Sequence, residues 1–138
     1  MPITPEIAAA IEELVAQHSD ATVTAIPDGD GGAFVTVDKV ALSDKFEPQE
    51  TWVKFHITVN YPASDVYPHF VRPDLRLSGG DPQAFQGLGD GTSLGDFKFA
   101  NQDLRAIQIS RRSNHLDPSI DTAALKLAKV LAFLEGGT

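Results

Sequence analysis

Residues 51–68 read Thr51-Trp52-Val53-Lys54-Phe55-His56-Ile57-Thr58-Val59-Asn60-Tyr61-Pro62-Ala63-Ser64-Asp65-Val66-Tyr67-Pro68. Val53, Phe55, Ile57 and Val59 alternate with Trp52, Lys54, His56, Thr58 and Asn60, the period-2 pattern of a strand with one buried face. The strand runs into two Tyr-Pro pairs, Tyr61-Pro62 and Tyr67-Pro68. Proline has no N–H for a sheet ladder and keeps the preceding residue out of the helical region, so the chain must leave the sheet here.

On either side of this stretch the pattern is legible to different degrees. Thr4-Pro5 reads as a helix start, with Thr4 as N-cap and Pro5 at the first helical position. Ile7, Ile11, Leu14 and Val15 follow at helical spacing, with Glu12 and Glu13 pointing away and His18-Ser19-Asp20 ending the helix. Residues 21–26 read as a short strand, 27–32 as a glycine-rich turn, and 33–42 as a second strand, together a hairpin. Residues 43–50 form a polar connection. Residues 78–96 are rich in glycine and small polar residues and read as a long irregular loop, pinned by Phe85, Leu88, Phe97 and Phe99. A short extended segment over 104–110 precedes a helix capped within 117–122. Ala123, Ala124, Leu127, Val130, Leu131 and Leu134 mark its apolar face, Lys126 and Lys129 lie outside it, and Gly136-Gly137 closes it. Helix, consecutive strands, loop and helix predict a single α+β domain over 1–138. In it an antiparallel meander of about four strands packs against an N-terminal and a C-terminal helix.

The chain has 138 residues, 42% of them hydrophobic and none of them cysteine. One core fits that length. Disulfides, thiolate nucleophiles and thiolate metal sites are excluded. No apolar run approaches the roughly 20 residues of a membrane helix, and Met1-Pro2-Ile3-Thr4-Pro5-Glu6 lacks the features of a signal peptide. A cytoplasmic protein without a membrane partner is expected. The net charge of −8 lies within residues 1–50, which hold ten acids and two bases, while residues 51–138 hold nine of each. Nucleic-acid binding needs a basic surface and is not expected. The acidic part is a solvated face or a site for a basic protein surface.

The strand ending in Tyr61-Pro62, with Tyr67-Pro68 close behind, resembles the ubiquitin-conjugating-enzyme (UBC) fold and its RWD relatives. The element order is similar too: helix, strand meander, Tyr-Pro exit, long irregular segment bearing the active site, and a following helix. Leu116-Asp117-Pro118 looks like the family's Trp-x-Pro lead-in to that helix. The family's His-Pro-Asn motif is missing, and so is its cysteine. The resemblance therefore implies a scaffold that binds partners without carrying a thioester, because an oxyester has a far poorer leaving group. Cysteine-free UBC-like and RWD domains bind ubiquitin-like proteins or partner enzymes. UBC-like proteins also occur in bacteria beside adenylating enzymes and JAB-type peptidases, a setting that suits this compact chain. A protein partner of that kind, a ubiquitin-like protein or an adenylating enzyme, is what the resemblance implies here.

Other chemistry is thinly supported. Asp28-Gly29-Asp30-Gly31 is a poor match to a calcium loop, lacking the third aspartate and the distal glutamate. Ser110, Ser113 and His115 lack the Gly-x-Ser-x-Gly elbow of a serine hydrolase. His18, His56, His69 and His115 show no metal spacing and read as surface or capping histidines, so neither metal nor cofactor is expected. Arg111-Arg112, followed by Ser113, Asn114 and His115, can grip a carboxylate or phosphate; alternatively the arginines pair with Asp117 and Asp121 in an ordinary loop. A small enzyme or anion-binding protein using that loop is the competing function. Trp52 is either a partner anchor or covered by a helix, and Tyr61, Pro62, Tyr67 and Pro68 are mainly structural. The final Leu134-Glu135-Gly136-Gly137-Thr138 reads as helix termination rather than a ubiquitin-like tail.

Overall fold

A computed structural model describes residues 2–78, 92–110 and 122–135. Helix α1 (Pro5–Gln17) begins where Thr4 Oγ1 accepts the Ile7 N–H, and it ends where the His18 N–H reaches the Leu14 carbonyl. Its inward face is Ile7, Ala10 and Leu14. Val15 instead points to solvent, 51% exposed, because it lies one residue past the stripe that meets the sheet. Eight strands follow in chain order: β1 (Thr22–Pro27), β2 (Ala33–Ala41), β3 (Phe46–Glu47), β4 (Glu50–Ile57), β5 (His69–Val71), β6 (Arg76–Leu77), β7 (Thr92–Phe99) and β8 (Gln102–Ile109). Helix α2 (Ala123–Leu134) comes last, with Thr122 Oγ1 capping the Leu125 N–H. Both helices are too short to cross a membrane, and no helix among the described residues is long and apolar enough to do so.

The main sheet has six strands in the order β1-β2-β4-β5-β8-β7, and all its pairings are antiparallel. β1, β2 and β4 are the expected strands of the meander, and β8 is the extended segment expected over 104–110; β5 has no expected counterpart. The expected count of about four is too low because β5 and β7 join the main sheet and β3 and β6 form a second one. β7 takes up positions 92–96, which belong by composition to the expected irregular loop. Its glycine and small polar residues have weak strand preference, and its state is set by eight cross-strand partners in β8. The hairpin turns at Ala100 and Asn101, both at positive φ, 50° and 65°, as a two-residue turn matching strand twist requires. The polar connection 43–50 contains β3, which pairs with β6 as a separate two-stranded sheet.

Alternation along β4 sorts the sheet into two faces. Val53, Phe55 and Ile57 point inward with Val35, Val37, Val71, Ile107 and Ile109, and they share one core with Ile7, Leu14, Leu127 and Val130 of the helices. Val59, expected on the same side, is exposed, because β4 ends at Ile57 and the chain turns through 58–60. Trp52, Lys54 and His56 point to the opposite, outer face. There Phe34, Phe70, Phe97, Phe99, Leu104 and Ala106 build a second, smaller cluster. β2 and β7 are separated by three strands, about 19 Å in a flat sheet at ~4.8 Å per strand. The Phe34 and Phe99 ring centroids are only 5.2 Å apart. The end of the β7–β8 hairpin therefore curls back over the outer face, which is why Phe97 and Phe99 are shielded.

Candidate functional site

The outward residues of β4 form a row, each held by neighbours on the adjoining strands. Lys54 lies opposite Thr36 and donates to its Oγ1 at 3.0 Å, with Nζ 5.4 Å from the ring centroids of both Trp52 and Phe99. Burial among these rings pulls its ammonium below the usual lysine value, opposed by the charge of Asp38. His56 lies opposite Phe34 and stacks on it, with centroids 4.2 Å apart and planes 22° from parallel. Its Nε2 is 2.7 Å from Asp28 Oδ2.

Asp28 belongs to the turn between β1 and β2. Its Oδ1 accepts the N–H groups of Asp30 and Gly32 at 2.7 and 2.9 Å. Burial works to raise this carboxyl, but hydrogen bonds from His56, Asp30 and Gly32 outweigh it, and the acid sits below its usual range. An aspartate that orients one imidazole nitrogen while the ring stacks on an aromatic face gives a rigid polar platform. The calcium-like spelling of 28–31 thus serves an Asp-centred turn. Among the described residues no group of three or more histidines and acids converges to hold a metal.

A second polar group lies under the inner face, at the Tyr-Pro corner. The Tyr61 hydroxyl accepts the Ala123 N–H at 3.0 Å, satisfying one of the free amides at the start of α2. Burial raises the pKa of that phenol. Thr122 Oγ1 donates to Glu13 Oε1 at 2.9 Å, tying α1 to the same corner. Lys126 Nζ stands 3.1 Å from Asp65 Oδ2. Lys126 is buried, not outside the apolar face as the sequence pattern implied. It lies three residues after Ala123 and four before Val130, hence on the inward stripe, and Asp65 provides the counter-charge. Tyr61 and Val66 are buried in the core, while Pro62, Tyr67 and Pro68 are half-buried. Both Tyr-Pro bonds are cis.

His69 is the clearest departure from expectation. It is fully buried instead of being a surface or capping group, with its ring 5.0 Å from that of Phe55. Neither ring nitrogen has a hydrogen-bond partner among the described residues. Burial, and then the nearby Lys126 charge, lower its pKa to about 3 against a smaller opposing effect from Asp65. It is neutral at ordinary pH. His18 is a helix cap as read, and His56 is half-exposed.

Trp52 is thus placed on the outer face, half-buried in the aromatic cluster, and neither α1 nor α2 covers it. Arg111, Arg112, Asn114 and His115 lie outside the described residues, as do Phe85, Leu88 and the glycines at 136 and 137. The flanks of the arginine-rich segment are placed: it follows β8, whose Ile109 pairs with His69, and precedes α2, whose cap Thr122 adjoins Tyr61 through Ala123. Asp28, Phe34, Lys54 and His56 went unrecognised as a group in the sequence. The available signal was the alternation in β4, which already put Lys54 and His56 beside Trp52. Asp28 had none, since only the strand register brings its turn to His56. The chain matches no protein-family model, and neither a curated protein nor a solved structure is significantly similar to it.

Proposed function

We propose that this chain is a non-catalytic, UBC-like or RWD-like adaptor that binds a ubiquitin-like protein or its adenylating or conjugating enzymes. The observation carrying this proposal is the course of β4 in a chain without cysteine. β4 is the third of four successive antiparallel strands that follow an N-terminal helix. It leaves the sheet into Tyr61-Pro62 and Tyr67-Pro68, and that corner is clamped to α2 by the Tyr61 hydroxyl and the Lys126–Asp65 pair. Such an arrangement supports a UBC-like scaffold, and the missing thiol leaves binding as its role. Trp52 on the outer face, and Arg111, Arg112, Asn114 and His115 after β8, are the proposed contacts. Large aromatic and arginine side chains carry much of the energy in protein interfaces.

Calorimetric titration of the purified chain against ubiquitin-like and adenylating proteins encoded beside it tests the proposal. Saturable binding to one of them, without a covalent adduct, is the expected result. An absence of binding to all of them removes the adaptor role.

A further inference from the structure

β1 forms one edge of the six-stranded sheet, and no strand among the described residues pairs with its outer side. Natural edges are usually blunted by charge, proline, a bulge or extreme shortness, because a free row of N–H and C=O groups recruits other strands. β1 has little of this protection. Its sequence, Thr22-Val23-Thr24-Ala25-Ile26-Pro27, carries no charge, its pairing with β2 is unbroken over all six residues, and Pro27 stands only at its end. Ile26 is 50% exposed and continues a cross-strand row through Phe34 to His56 on the outer face.

The ends of this uncharged edge are acidic. Asp20 precedes it, Asp30 follows it, and Asp38 lies opposite Thr22; all three are exposed. None forms an ion pair among the described residues. A second copy is a poor occupant. Antiparallel self-pairing sets Asp20 of one chain near Asp30 of the other, and parallel pairing aligns like with like.

We infer that the β1 edge docks an extended segment of a partner protein, apolar and β-branched at its centre and basic at its ends, which adds a seventh strand. This deepens the adaptor proposal and rests on the chain being a binding module. Main-chain hydrogen bonds supply affinity, Ile26 packs against an apolar guest side chain on the same outer face, and the flanking carboxylates select basic ends.

The probe is a short peptide of alternating valine and threonine between lysine pairs, titrated into the full chain and followed by backbone-amide NMR. Shifts centred on 22–27 are expected. Binding should weaken roughly tenfold in Ile26→Lys and with a glutamate-flanked peptide, and charge preference should reverse in Asp20→Lys/Asp30→Lys. Shifts elsewhere, or equal binding of both peptides, overturn the inference. So does concentration-dependent dimerisation abolished by Ile26→Lys, which gives the edge to a second copy. If a ubiquitin-like or adenylating protein binds and Ile26→Lys leaves its affinity unchanged, the edge role falls while the adaptor stands. If the peptide binds the edge and none of those proteins binds, the adaptor falls and the edge role stands.

Discussion

At the scale of single residues, His69 sets the sharpest condition on stability. Its imidazole is neutral in the core and has no hydrogen-bond partner among the described residues, with a pKa lowered to about 3 from an ordinary 6.5. Between those values the unfolded chain binds a proton that the folded chain refuses. Acid therefore favours unfolding throughout that window, by up to about 1.4 kcal/mol per pH unit, and above pH 6.5 the group adds no pH dependence. Asp28 acts in the same direction at lower pH: its depressed carboxyl stabilises the fold above its ordinary 3.8, and that stability is lost as pH falls through its folded value. Urea midpoints should fall steeply from pH 6.5 toward pH 4. In His69→Leu the slope over that range should largely vanish. The variant should also gain about 1–3 kcal/mol at pH 7, because two unsatisfied polar atoms leave the core. An unchanged slope would show that His69 is not the group responsible. The burial of His69 was not legible in the sequence. Its side is fixed by pairing with Phe55 in β4 and Ile109 in β8, both far away along the chain.

At the scale of elements, the hairpin β1–β2 depends on a close approach at Gly32. A Cβ there would collide with the Ile57 carbonyl oxygen and stand 2.5 Å from Asp28 Oδ2. Gly32→Ala must push β2 from the end of β4 or break the Asp28 turn. A loss of about 1–3 kcal/mol is expected, read as a lower denaturant midpoint, as for other overpacked sites. Gly29→Ala is the contrasting case: nothing lies near its Cβ, and its positive φ of 87° alone sets the cost. Elements with strong apolar periods were legible. α1, α2 and β2 appear within a residue or two of their expected bounds, and β4 does so at its start but ends three residues early, since burial of one face decides each of them. β7 and the small β3–β6 pair were not, because their residues have weak local preference and their partners are distant. The buried position of Lys126 was masked by its charge, which made an inward residue look outward until Asp65 was placed beside it. Of the outer-face site, Trp52, Lys54 and His56 followed from alternation. The edge-to-face contact of Phe34 and Phe99 depends on the last hairpin folding back over that face.

At the scale of the whole molecule, charge divides unevenly along the chain. The −8 of residues 1–50 falls on α1, on the turns at both ends of β1, on β3 and on the first residue of β4, whereas many bases beyond position 50 are matched by nearby acids. Arg72 pairs with Asp74, Lys98 with Asp103, Arg105 with Asp96, and Lys126 with Asp65. The neutralised portion contributes little long-range field, so the acidic portion governs how a charged partner approaches. Its exposed carboxylates act through solvent and are screened over about 8 Å at physiological salt. A basic partner should therefore bind faster and tighter at low ionic strength, with affinity falling roughly tenfold between 50 and 500 mM NaCl. Most of that loss should appear in the association rate measured by surface plasmon resonance, because rim charges steer encounters more than they hold complexes. Asp20→Asn/Asp30→Asn/Asp38→Asn should flatten the salt dependence while leaving the melting temperature nearly unchanged, since none of the three carboxylates is in an ion pair among the described residues. A partner whose affinity ignores salt in the parent chain would instead have to contact the aromatic face around Trp52, where burial of apolar surface, insensitive to moderate salt, sets the energy.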